Sequence, residues 1–374
     1  MVLRRFAVPF LIAISLGGVP KASWAGVAPA KVEAGAAAVT DDQGASAKKD
    51  NNEDDDEERK KHNDEPIKPE QLHHPVLWHD PSEISSLDLF YGQGGKKGQP
   101  VPPFRFIEED HNHSTPKMDV RDARGKKWRA KLGHEARPEV VASRLLWAVG
   151  YFANDDYVLP KATIEGIHMR RGRQYIHGEE VENVRFARKP NGQKKIAIWR
   201  WRENPFAGTR EWNGLRVMMA VLNSWDLKDD NNYVYSDRKN DREIFLVSDV
   251  GTAFGRTGLH FTNAPSKDNV QAYIHSKFIT KVTDKTVSFA TPAPSYSLLF
   301  ETLGIAMKQF FKRQGMLWIG KDIPCEDARW IGGLLGQLSH QQLVDAFRAG
   351  NYPPDEVELF VSEVEKRIAA LKKL

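Results

Sequence analysis

Two stretches of the chain combine acidic, basic and amide side chains at close spacing. Trp225-Asp226-Leu227-Lys228-Asp229-Asp230-Asn231 offers a carboxylate, a cation two positions later and an amide five positions later. Leu246-Val247-Ser248-Asp249-Val250-Gly251 is an apolar run that ends in a second carboxylate followed closely by glycine. These are the parts that phosphoryl transfer from ATP requires. One carboxylate orients an attacking hydroxyl, a lysine neutralises the moving phosphoryl, and oxygen donors hold Mg2+. Asp226, Lys228 and the pair Asn231 and Asp249 match them in that order. Mg2+ uses few protein groups, so one amide and one carboxylate suffice.

The same chemistry needs a cation for the α- and β-phosphates, steadied by a carboxylate on a neighbouring helix. Lys131 closes the strand-like run Trp128-Arg129-Ala130-Lys131, and Glu139 lies near the start of the helical pattern that follows. Glu135 competes for that role but precedes Pro138 and is expected in the connecting loop. The phosphates need a turned loop of N–H groups and hydroxyls. Asp110 to Lys117, with Ser114 and Thr115, is the candidate; the glycines of Tyr91-Gly92-Gln93-Gly94-Gly95 are a second one. His111, His113 and the group His73, His74 and His79 invite a metal-hydrolase reading. Their spacing fits no ligand pair on a helix or strand and no cysteine assists them, so solvated histidines are the expectation.

The elements that must position these residues follow from pattern. Phe104–Glu109, Lys117–Val120 and Lys127–Leu132 read as three strands, with a turn at Asp122–Gly125. Pro138 suits the first position of a helix that continues over Glu139–Tyr151, apolar at Val140, Val141, Leu145, Leu146 and Val149. Val181–Ala187 and Lys195–Trp201 supply two more strands, the second with Ala197, Trp199 and Trp201 on one face. Arg210–Ser224 returns to helix and delivers the chain to Asp226. The segment from Gly255 to about Pro294 reads as irregular. Beyond it, Ser295–Arg313, Asp327–Gln337, Ser339–Arg348 and Asp355–Leu374 read as helices, with Ser339 and Asp355 as N-caps.

Taken in order, these features resemble the protein-kinase-like superfamily. Asp226-Leu-Lys-x-x-Asn231 is similar to its catalytic loop, and Asp249-Val-Gly251 to its metal-binding Asp-Phe-Gly triplet. Ser114-Thr-Pro-Lys117, the strand ending near Lys131, and Glu139 with Leu145-Leu146-Trp-Ala-Val-Gly150 resemble the HipA-type and phosphatidylinositol-kinase-like branches, in which a Ser- or Thr-bearing loop replaces the glycine-rich one. The resemblance spans about residues 103–255. It implies an α+β, two-lobed protein-kinase-like fold, with an antiparallel sheet plus one helix in an N-lobe (103–206) and a mainly helical C-lobe (207–374). It implies ATP between the lobes, on Lys131 paired with Glu139, and adenine near Trp199–Phe206. It also implies Asp226 as catalytic base, Lys228 on the γ-phosphate, and Mg2+ on Asn231 and Asp249. Three departures stand out. Trp225 replaces the Arg before the catalytic Asp, Val250 replaces Phe, and no Ala-Pro-Glu triplet follows. Phosphorylation-driven activation and extended-peptide substrates are therefore not expected.

The 374 residues, 40% of them hydrophobic, suffice for one large core. Residues 1–25 have the form of a secretory signal, a basic start before the apolar run Phe6–Val19 and then Ser23-Trp24-Ala25. Removing them takes Arg4, Arg5 and Lys21, so the formal charge falls from +4 to +1 and gives no argument for nucleic acid. Residues 26–64 have the composition of a disordered tether, and 65–102 that of a lead-in segment draped over the domain. With Cys325 alone there is no internal disulfide. The expectation is an exported protein, periplasmic or extracellular, with no membrane span after cleavage. It would act as an ATP- and Mg2+-dependent phosphotransferase on a hydroxyl of a protein, lipid or small molecule. The alternative is a kinase-fold binding or scaffolding protein of the cell envelope without turnover.

Overall fold

The computed structural model describes residues 65–81, 83–111, 115–133, 135–188, 193–224, 226–255, 267–290 and 315–374. The signal, the tether, Ser114, His113, Trp225 and the helix expected at 295–313 lie outside them. The described residues form an α+β structure and all fall within one compact unit of the chain, Glu53–Leu374.

The expected turn forms because Asp122 folds back on its own loop. Its Oδ1 accepts the N–H groups of Arg124 and Lys126, each at 2.9 Å. Gly125 takes a φ of +76°, which the left-handed corner requires. This turn fixes the register of β2 (Lys117–Arg121) against β3 (Lys127–Lys131), with Arg121 opposite Lys127 and Lys117 opposite Lys131. β1 (Phe104–Asp110) pairs with β2, so the three expected strands are antiparallel neighbours.

The sheet does not stay open. β4 (Asp155–Glu165) and β5 (Glu180–Arg188) form a long antiparallel pair; β5 also pairs with β3, and β4 pairs with β1 in parallel. The five strands close into a barrel that includes one parallel pairing, in place of the expected antiparallel sheet. Phe104, Met118, Val120, Trp128, Ala130, Ile164, Val184 and Phe186 fill its interior. β4 has no counterpart in the sequence reading, because Pro160 lies within it and proline cannot donate to a ladder. The pairing runs Leu159 with Val184 and Lys161 with Glu182, stepping over Pro160, where the facing Asn183 has φ +47°.

Helix α1 (Ala136–Ala148) follows β3. It begins two residues before Pro138, with Glu135 at the N-cap, so Pro138 sits within the first turn rather than at its start. Glu139 and Ser143, four apart, share one stripe, while Val141, Ala142, Leu145 and Leu146 belong to a second, larger core. The polar stripe meets charged partners on the outside of the barrel.

That larger core contains a second sheet. β6 (Gln193–Ile198) pairs with β7 (Asn232–Asp237) and β7 with β8 (Arg242–Val247), both antiparallel; Pro75–Val76 adds to β8 in parallel. β6, expected among the small-lobe strands, therefore belongs to this sheet, and it ends at Ile198, before the buried Trp199 and Trp201. The lead-in packs along this part of the chain: Ile67 N–H donates to Ile198 O, and Leu77, Ile84 and Leu89 are buried.

Helix α2 (Arg210–Val221), capped by Thr209, precedes the Asp226 loop. The segment expected to be irregular contains α3 (Val270–Ile274) and a hairpin of β9 (Ile279–Val282) and β10 (Thr286–Phe289). Three helices end the chain: α4 (Cys325–Leu335), α5 (His340–Ala349) and α6 (Pro354–Lys372). Ser339 caps α5 as expected, in a reciprocal box with Gln342. At α6 the cap is Pro353, and Asp355 lies in the first turn instead. Among the described residues no helix is long and apolar enough to cross a membrane.

Candidate functional site

Lys131 is at the centre. Its Nζ lies 2.9 Å from Glu139 Oε2, 2.8 Å from Glu135 Oε2 and 3.1 Å from Asp249 Oδ1, with 1% of its side chain exposed. Burial opposes its charge, but three carboxylates outweigh it and hold the ammonium well above the ordinary lysine range. Asp249 shows the reverse balance. Burial would raise its carboxyl, and Lys131 and Lys117 hold it below the usual range. Glu139 is the most enclosed of the three. Burial is its largest influence and pushes it up, against the pull of Arg185 and Lys131.

Glu135 does more than compete. From the N-cap of α1 it also accepts Thr115 Oγ1 at 3.0 Å and pairs with Lys267. Burial opposes its charge, and the two lysines nevertheless hold its carboxyl far below the ordinary value. The structure thus joins Lys131, Glu139, Asp249 and Thr115 in one cluster around Lys131, with Thr115 attached through Glu135. Gly251 is part of the same packing. A Cβ there would lie 2.9 Å from both the Cβ and the carbonyl oxygen of Glu135 and 3.2 Å from Glu139 Oε2, so only glycine fits without displacing them.

The two motifs of the second sheet meet through its hairpin. Asn232 pairs with Val247, which brings Asn231 and Ser248 side by side, and Ser248 N–H donates to Asn231 O at 2.9 Å. Asn154, just before β4, donates to both the carbonyl and the hydroxyl of Ser248 at 3.1 and 3.0 Å. Asn231 Nδ2 donates to Asp226 O at 2.8 Å, which leaves its Oδ1, the atom an amide offers to a cation, without a hydrogen bond among the described residues. Asp226 N–H donates to Thr252 Oγ1 at 3.2 Å, and Lys228 Nζ lies 3.0 Å from Asp226 Oδ2. Asp226, Lys228 and Asn231 are therefore one unit, tied to the Asp249 segment through Thr252 and Ser248.

Several residues of the site escape a reading of the sequence. Lys117 and Arg185 each stand in register with Lys131, one on either side, so three cations form a row across β2, β3 and β5. Like charges directly opposite are unfavourable unless anions intervene. Here Glu139 lies 3.4 Å from Arg185 Nη1, and Asp156 lies 2.8 Å from the same atom. Lys117 has no ion pair of its own among the described residues; burial and the Lys131 charge lower its proton affinity. The turn at Asp122–Gly125 could have revealed Lys117, since the hairpin register follows from it. Arg185 and Thr252 carry no local signal.

The other candidates lie elsewhere or are otherwise engaged. Gly94 N–H donates to Asp155 Oδ1 at 3.2 Å, and Gly92 packs on Arg144, so this glycine loop is committed to the barrel's own side chains. His74 Nδ1 faces Asp241 and His79 Nδ1 faces Asp80 O, both exposed. Among the described residues no three His, Cys, Asp or Glu side chains form a group that could hold a metal by themselves. The chain matches no protein-family model and no curated protein.

Proposed function

We propose that this chain is a Mg2+- and ATP-dependent phosphotransferase of protein-kinase-like architecture. In this reading the barrel with α1 is the small lobe, and the second sheet with α2, α4, α5 and α6 is the large one. The observation that carries it is the contact of Lys131 with both Glu139 and Asp249, next to a hairpin that sets Asn231 beside Ser248. A lysine held by a helix carboxylate, beside an acid–amide oxygen pair, is a combination suited to polyphosphate.

The donor set fits Mg2+, a hard cation that prefers carboxylate and amide oxygens. Asp249 and the Oδ1 of Asn231 would hold it, and when bound it would neutralise charge on the transferring phosphates. Lys131 swings its ammonium from Asp249 toward the α- and β-phosphates while Glu139 retains it. Asp226 orients the acceptor hydroxyl and takes its proton as the new oxygen–phosphorus bond forms and the bond to ADP breaks. Lys228, already beside Asp226, steadies the γ-phosphoryl. Thr115 lines the approach to Lys131 through Glu135.

A second reading, a binding protein that keeps this fold without turnover, draws support from the three carboxylates that already occupy Lys131. Measuring ATP consumption alongside nucleotide-induced thermal stabilisation separates the two. Asp226→Ala should abolish consumption and spare stabilisation, and Asp249→Ala should abolish both. Stabilisation of the wild type without any consumption favours the second reading.

A further inference from the structure

Arg185 reaches Glu139 from the side away from Lys131. Its Nη1 lies 2.8 Å from Asp156 Oδ1 and 3.4 Å from Glu139 Oε1, and the guanidinium is buried. Asp156 is anchored in turn by Ser143 Oγ, which donates at 3.1 Å, and its carbonyl accepts Arg144 Nη2 at 2.6 Å. A fixed chain therefore runs from α1 through Asp156 and Arg185 back to Glu139 and Lys131. Buried ion clusters of this kind contribute little net stability, because desolvation offsets the attraction. Stability alone is a poor account of why Asp156, Arg185, Glu139 and Lys131 are linked in one buried chain of ion pairs.

Resting on the phosphotransferase reading above, we propose that Arg185 is a positioning residue, the permanent counter-ion of Glu139. When Lys131 turns toward an incoming polyphosphate, Glu139 loses part of its compensation. A buried carboxylate left alone takes up a proton and then no longer holds the lysine as an ion pair. Arg185, which no ligand draws away, keeps Glu139 ionised and its rotamer fixed through that change. The charged groups facing Glu139 are Lys131 on β3, Arg185 on β5, Asp156 on β4, Asp249 beyond β8 and Lys117 on β2, and Glu135, at the start of the same helix, shares Lys131 with it. Arg185 and Lys131 favour its charge, whereas Asp249 and Asp156 oppose it.

The test follows the Glu139 carboxyl itself, in full-length protein labelled with 13C-glutamate, the signal being assigned by its loss in Glu139→Gln. In Arg185→Gln the carboxyl should bind its proton about 10- to 1,000-fold more tightly than in wild type. Arg185→Lys should restore most of the difference. Should the single variant fail to fold, Asp156→Asn combined with Arg185→Gln removes both ions of that pair, so that Asp156 is not left as a second orphaned carboxylate. The rise should persist there, since Arg185 outweighs Asp156 at Glu139. Mg·ATP affinity, measured on the same proteins from mildly acidic to mildly alkaline pH, should fall on the acid side in the variants that carry Arg185→Gln and not in wild type or Arg185→Lys. A Glu139 titration unchanged by loss of Arg185 overturns the proposal, whatever the nucleotide data. A shifted titration in a protein that binds no Mg·ATP keeps the Arg185–Glu139 link and removes the nucleotide reading instead.

Discussion

The ammonium of Lys131 lies 3.1 Å from the carboxylate of Asp249, although 118 positions separate them in the chain. One residue closes a strand of the barrel and the other follows the last strand of the second sheet. The contact makes the two sheets chemically interdependent.

Replacing Lys131 by Met keeps the length of the side chain and removes its charge. Three carboxylates then share a site without their common cation, and orphaning a buried ion pair costs about 3–5 kcal/mol. Thermal unfolding should register that loss. Mg·ATP should give no stabilisation even at temperatures where Lys131→Met is still folded.

Gly251→Ala tests packing rather than charge. Its methyl group would sit 2.9 Å from Glu135 Cβ and carbonyl oxygen. Overpacking of this kind costs about 1–3 kcal/mol. Because Glu135, the residue displaced first, is a partner of Lys131, nucleotide affinity should fall together with stability in the same variant.

Lys117→Met should separate the two properties. Removing a like charge directly opposite Lys131 should leave stability unchanged or raise it by about 0.2–1 kcal/mol. Mg·ATP affinity should drop, because a cation beside Lys131 with no ion pair among the described residues is lost. Parallel unfolding and binding measurements check the opposite signs.

The pH dependence follows from Glu135. Burial works against its charge, yet Lys131 and Lys267 hold its carboxyl below the unfolded value, so ionisation favours the folded state. That contribution is complete above the ordinary glutamate range of about 4.5 and is lost as the pH falls below it. Glu135→Gln should therefore show a smaller drop in stability between about pH 7 and pH 3 than wild type, as measured by denaturant titration at each pH.

How much of this was legible depended on whether the signal was local. The turn at Asp122–Gly125, the three strands around it, α1 and the Ser339 cap all follow from neighbouring residues, and they form nearly as read. The order of Lys131, Glu139, Asp226, Asn231 and Asp249 could be read as well. Barrel closure could not, because Pro160 hides β4 and because the parallel pairing of β1 with β4 joins segments about sixty residues apart. The assignment of β6 failed for a related reason, since a strand's partner is set by tertiary packing and not by its own alternation. Arg185 and Asp156 look like ordinary strand residues until β5 is laid beside β3.

The most direct test of the central claim is a calorimetric titration of the full-length chain with Mg·ATP, set beside the same titration of Asp249→Asn. The account predicts saturable binding at one site per chain in the wild type, weakened when Mg2+ is chelated and lost in the variant. Absence of saturable binding by the wild type at millimolar nucleotide, or equal binding by Asp249→Asn, would contradict it.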